Sequence, residues 1–161
     1  VKERRDRFEE ATQVLIGLLS QPTTTFDGKF YQLDSARNEP KGPQRPHPPI
    51  CMGGSGEKRT LRIAARYADH WNFVQGTPEE FAHKRDVLRA HCTDIGRDPS
   101  EITVSAHIWV NPEHDYQKLL AEVAAFGSAG MDLAIIYLPP PLDPSVLEPL
   151  ASAIADSGLA R

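Results

Sequence analysis

Four consecutive residues, Gly53-Gly54-Ser55-Gly56, carry the clearest chemistry in the sequence. They follow the short apolar run Pro49-Ile50-Cys51-Met52 and precede Glu57-Lys58-Arg59-Thr60, where helix-forming residues begin. Three glycines in four positions let backbone N–H groups approach an anion with no Cβ in the way. A helix starting just after them adds unpaired N–H groups and the positive end of its dipole. The pattern predicts strand, anion loop and helix, with the Ser55 hydroxyl as a further donor. Lys58, Arg59 and Thr60 are expected in the first helical turn, where Arg59 and Thr60 are the better placed to meet a phosphate. A glycine-rich turn that holds no ligand has the same spacing, so the alternative stays open on these residues alone.

A second group of candidates follows the next apolar segment. Trp71 and Asn72 end the run Asp69-His70-Trp71-Asn72, where an indole could wall a pocket or pack in the core and an amide could bond a ring or a loop. His70 would be a proton donor only if it pointed inward, and packing is the competing role. Further on, His107 and Trp109 lie on the most strand-like stretch, with outward packing against a helix favoured for the histidine. The histidines at 47, 70, 83, 91, 107 and 114 form no metal-like spacing with carboxylates or thiolates, and no metal is predicted. Neither a nucleophile elbow, a serine–histidine pair nor a carboxylate dyad is supported, so catalytic residues stay unassigned. That pattern suits chemistry performed by a bound organic cofactor.

These residues must be positioned by elements that hydrophobic spacing makes legible. Phe8, Ala11, Leu15, Leu18 and Leu19 predict an amphipathic helix over 4–20, stopped by Pro22. An insertion over 21–48 is expected to hold a small hairpin turning at Asp27-Gly28, then an irregular Pro-rich excursion. From 49 to 161 strand and helix patterns alternate. Thr77-Pro78-Glu79-Glu80 is a capping box opening a helix whose apolar face is Phe81, Leu88, Cys92 and Ile95, closed by Gly96. Ile102 to Val110 predicts a strand, Asp115 to Phe126 a helix closed by Gly127 and Gly130, and Asp132 to Leu138 a strand. A last helix carries Val146, Leu147, Leu150, Ala151 and Ile154, starting late because of Pro149. Regular alternation with short links calls for a parallel sheet with right-handed crossovers, either an open doubly wound sheet or part of a (β/α)8 barrel. A whole barrel takes ~250 residues, so the 161 residues present hold about half of one.

Composition narrows the partners. A net charge of −4 with scattered basic residues excludes a nucleic-acid footprint. No run approaches the ~20 apolar residues of a membrane helix, and no leader is visible. Cys51 and Cys92 share no motif, which points to a reducing, cytoplasmic setting.

The run Pro48 to Leu61, continued by Ala65-Arg66-Tyr67-Ala68-Asp69-His70-Trp71-Asn72, resembles the luciferase-like monooxygenase family, above all its members that use the deazaflavin F420. Phe26-Asp27-Gly28-Lys29-Phe30-Tyr31, His91-Cys92 and Gly96-Arg97-Asp98-Pro99 extend the resemblance over nearly the whole chain. His70 and Cys51-Met52 depart from the residues usual there. The resemblance implies the carboxy-terminal half of a (β/α)8 TIM barrel: one helix, a hairpin insertion, and four parallel strands alternating with helices. It implies F420, or alternatively FMN, bound with its phosphate at Gly53, Gly54, Ser55, Gly56, Arg59 and Thr60, and with Trp71 and Asn72 alongside. It further implies an oxidoreductase acting on a small organic substrate, in a homo-oligomer or in association through exposed half-barrel edges. The alternatives from the residues are a truncated binding or structural fragment without chemistry, and a phosphosugar-binding barrel.

Overall fold

The computed structural model describes residues 2–140 and 143–159. The predicted span over 1–161 therefore has Val1, Pro141, Leu142, Ala160 and Arg161 outside the described residues. The chain opens with helix α1 (Lys2–Ser20), then a two-stranded antiparallel hairpin of β1 (Thr24–Asp27) and β2 (Gln32–Ala36). Four strands follow, β3 (Cys51–Gly53), β4 (His70–Phe73), β5 (Thr103–Trp109) and β6 (Leu133–Tyr137), parallel throughout and adjacent in sequence order. Helices α2 (Thr60–Tyr67), α3 (Pro78–Asp94) and α4 (Tyr116–Ser128) connect them, and α5 (Leu147–Ser157) comes last.

One face of this sheet makes the core. Met52, Trp71, Phe73, Val104, Ala106 and Ile108 are buried against Leu61, Phe81, Leu88, Leu119 and Phe126 of the helices. Trp71 stacks on Phe81 with centroids 5.8 Å apart and planes at 16°, and Phe73 and Phe126 meet Phe81 edge-on at 5.7 and 5.6 Å. The period-2 alternation sends the intervening residues, among them His70, Asn72, Ser105, His107 and Trp109, to the opposite face. Among the described residues helices cover one face only, as they do along consecutive βα units of a barrel wall. A doubly wound sheet would have helices on both faces.

Two aspartates tie the strands together at their amino-terminal ends. Asp69 Oδ2 accepts the Ile50 N–H at 2.7 Å, and Asp132 Oδ2 accepts the Val104 N–H at 2.8 Å. Each precedes its strand by one residue and closes the ladder toward the strand before it. The capping box forms as spaced, with Thr77 accepting from the Glu80 N–H and Glu80 from the Thr77 N–H.

Several expectations need correction. The buried residues of α1 are Thr12, Val14 and Gly17, whereas Leu15 is 55% and Phe8 37% exposed. Gly17 sets this phase, because a Cβ there would stand 2.7 Å from Thr24 Cγ2 of the hairpin. The hairpin turn sits on α1 as well, with the Glu10 carboxylate accepting N–H groups of Lys29, Phe30 and Tyr31. Ile95 is exposed because α3 stops at Asp94, one residue before it. Gly127 lies inside α4, and the turn is made by Gly130 at φ +87°. Pro149 falls in the first turn of α5, where no intrahelical N–H is required, so the helix starts before it.

Candidate functional site

The Gly53–Gly56 loop leaves the carboxy-terminal end of β3. Gly54 has φ +109°, a backbone conformation that side chains disfavour, and a Cβ there would stand 3.2 Å from Thr60 Cγ2. A Cβ on Gly56 would stand 2.8 Å from Thr60 Oγ1. Thr60 thus lies against the loop, and a side chain at Gly54 or Gly56 would crowd it. The Leu61 N–H donates to the Gly56 carbonyl at 3.0 Å, closing the turn into α2.

That helix begins at Thr60, so Lys58 and Arg59 stand in the turn before it and not in its first helical turn. Arg59 is directed toward α1, where its guanidinium pairs with Asp6. Its charge at the loop is thereby shared with a carboxylate. Glu57, which sequence reasoning passed over, fixes the far shoulder of the loop to α3: its carboxylate bonds Lys84 and His83, and its carbonyl meets His91 Nε2 at 2.8 Å. The hydrogen bond from Lys84, followed by that from His83, holds the Glu57 carboxyl below its ordinary pKa. Only the wide sequence separation hid this anchor.

Trp71 walls no open pocket. Its side chain is fully buried among the helix-facing aromatics, and its Nε1–H donates to the Gly54 carbonyl at 2.9 Å. The indole therefore supports the loop from beneath. Asn72 faces the other way, into a polar ladder across β4 and β5. His70 Nε2 lies 2.6 Å from Ser105 Oγ, Ser105 Oγ donates to Asn72 Oδ1 at 2.8 Å, and Asn72 Nδ2 lies 2.7 Å from His107 Nε2. Ser105 is completely buried and Asn72 nearly so. Burial keeps the His70 imidazole below its ordinary pKa, toward the neutral form.

His107 does not pack against a helix, contrary to expectation. It shares the helix-free face with Trp109, two residues on, and its ring meets that of Tyr137 at 4.6 Å. Tyr137 in turn stacks on Trp109 at 4.4 Å and 28°. Trp109 and Tyr137 are the last residues of β5 and β6, and Gly53 is the last of β3. Glycine loop and aromatic pair thus sit at one end of the sheet, the end at which barrel enzymes build their sites. Sequence reasoning missed Ser105 and Tyr137; the i, i+2 spacing of Ser105, His107 and Trp109 was the available signal. Among the described residues no group of His, Cys, Asp and Glu could hold a metal ion.

The family model for luciferase-like monooxygenases matches residues 1–155. The chain belongs to the luciferase-like monooxygenase family. Among curated relatives, it is 34% identical over 125 residues to the FMNH2-dependent dimethylsulfone monooxygenase of Pseudomonas putida, covering 76% of this chain and 34% of that protein. It is 32% identical over 124 residues to the pyrimidine monooxygenase RutA of Agrobacterium fabrum, covering 68% of this chain and 33% of that protein. The chain therefore spans about a third of the length of these relatives. Among solved structures, an F420-dependent secondary alcohol dehydrogenase in complex with an F420-acetone adduct superposes with a TM-score of 0.83 at 18% identity, over 98% of this chain and 63% of that one. At that identity the likeness is one of fold, and it accords with the luciferase-like barrel wall described above.

Proposed function

We propose that this chain supplies the cofactor-phosphate loop and one wall of the active site of a luciferase-like oxidoreductase that uses a reduced flavin-type cofactor on a small organic substrate. The observation that carries the reading is the common placement of the Gly53–Gly56 loop and the Trp109–Tyr137 pair at the carboxy-terminal end of one parallel sheet. The residues fit a phosphate. The backbone is glycine wherever Thr60 crowds it, Ser55 adds a hydroxyl, and the turn into α2 is already closed by Leu61.

In this reading Gly53, Gly54, Ser55, Gly56 and Thr60 hold the phosphate, while Trp71 and Glu57 keep the loop in shape from below and beside. Arg59, neutralised in part by Asp6, contributes less charge than its sequence position suggests. Asn72 acts within the polar ladder and not on the cofactor directly. The cofactor, when bound, supplies the redox chemistry, passing a hydride or activating oxygen. His107, Trp109 and Tyr137 then shape the substrate side, where aromatic surface favours an apolar or planar molecule and excludes water.

F420 and FMN both present a phosphate to such a loop. The relatives above 30% identity include two named FMNH2-dependent, which favours FMN. The F420 reading has its support in a structural neighbour that shares the fold. Visible-absorbance titration of the folded chain with each cofactor separates them. Micromolar binding of FMN or F420, weakened at least tenfold by Gly54→Asp, is the expected outcome. A folded sample that perturbs neither spectrum would overturn the cofactor reading and leave a binding or structural fragment. Selective binding of a sugar phosphate would favour the phosphosugar alternative.

A further inference from the structure

The ladder on the helix-free face has a direction that follows from donor and acceptor chemistry. Ser105 Oγ has a single proton, given to Asn72 Oδ1 at 2.8 Å, so toward His70 it can only accept. His70 Nε2, 2.6 Å away, must then carry the proton of that bond. At the other end the Asn72 Nδ2 group has only protons to offer, so His107 Nε2, 2.7 Å away, must be the bare nitrogen. A neutral His107 that accepts at Nε2 carries its proton on Nδ1, the less favoured tautomer of a free neutral histidine. Among the described residues Nδ1 of His107 has no hydrogen-bond partner.

We propose that Ser105 and Asn72 are positioning residues that lock His107 in its Nδ1–H tautomer, so that the open face presents an N–H donor, and not a bare ring nitrogen, to an acceptor atom such as a carbonyl or other oxygen of a substrate. Three features support a fixed order over a fluctuating one. Ser105 is wholly buried, which excludes water from the middle of the chain. The amide of Asn72 is engaged at both ends, so flipping it would require every proton in the ladder to reverse together. Tyr137, with its ring 4.6 Å from that of His107, restricts the imidazole from the side of β6. The bearing of this order on catalysis rests on the flavin-type reading given above. The order itself does not, and it is read without any cofactor.

Long-range 1H–15N correlation spectra of the folded protein report which ring nitrogen of each histidine is protonated. The expected pattern is protonated Nδ1 and bare Nε2 for His107, with protonated Nε2 for His70. Asn72→Asp replaces the donating amide by an acceptor, so the His107 signal should shift to a protonated Nε2, with or without Nδ1. Ser105→Ala should convert the single His107 form into a mixture, and Ser105→Thr, which keeps the hydroxyl, should restore it. A wild-type His107 protonated at Nε2 would overturn the proposal. So would a Ser105→Ala protein with circular dichroism like wild type and an unchanged His107 pattern, a comparison that stands even if Asn72→Asp does not fold. Failure of the FMN and F420 titrations with the expected tautomers in place would sink the cofactor reading alone.

Discussion

His70 and Trp71 are neighbours in sequence with opposite fates, and each yields a measurable consequence. His70 faces the polar ladder, and burial depresses its pKa below the ordinary 6.5. The unfolded chain therefore takes up a proton at this site at higher pH than the folded one does. The His70 contribution to stability is present above about pH 6.5 and is lost as pH falls through the lower folded value. Urea unfolding of wild type and His70→Gln between pH 8 and 5 should show wild type losing stability relative to the variant below about pH 6.5; parallel curves would contradict it. Trp71 faces the core and reaches back to the Gly54 carbonyl. Trp71→Phe removes that donor and part of a buried ring, and a loss of about 1–3 kcal/mol in urea unfolding is expected. Gly54 belongs to the same unit, because the carbonyl that Trp71 holds and the positive φ that only glycine takes easily are on one residue.

Among the elements, the sheet is organised by the aspartates at the entries of β4 and β6 as much as by its apolar strands. The Asp132 carboxylate satisfies the N–H of Val104, a buried residue of the neighbouring strand. Asp132→Ala would leave that donor without its partner, at a cost of about 1–3 kcal/mol. The parallel change Asp69→Ala acts on Ile50, at a different strand pair, and the two losses should add within about 0.5 kcal/mol in chemical denaturation because they share no partner. Strong coupling between them would mean that the strand entries open as one unit. The existence of every βα element was legible, because 3.6- and 2-residue periodicities and the Thr77 capping box are local signals. The phase of α1 was not. Phe8 and Leu15 have helical spacing, but Gly17 against Thr24 decides which side is covered, and that contact joins two elements.

For the whole molecule, the helix-free face and the outer strands determine behaviour. Trp109 is 59% and Leu133 47% exposed on that face, and among the described residues β3 and β6 each pair on one side only. Unpaired strand edges and exposed large apolar side chains promote association. The 161-residue chain by itself is therefore expected to run in light scattering above its 17.8 kDa monomer mass. Trp109→Lys together with Leu133→Lys should shift it toward the monomer; a wild-type chain that is monomeric across the micromolar range would contradict this. No helix of the described residues is long and apolar enough to cross a membrane.

The sequence by itself determined the βα alternation, the glycine loop between β3 and α2, and the family, because each is written in residues close together along the chain. It could also place Ser105, His107 and Trp109 on one strand face, since alternation is a local rule. Which face that would be depended on where the helices packed. Tertiary structure alone decided that Trp71 lies under the loop and not beside a pocket, that Arg59 turns to Asp6, and that Glu57 reaches Lys84 and His83. It alone joined His70, Ser105, Asn72 and His107 into a ladder. These partners are 17 to 53 residues apart. Spacing along the chain carries no signal at that separation, and only the folded sheet and its helices bring such groups within hydrogen-bonding distance.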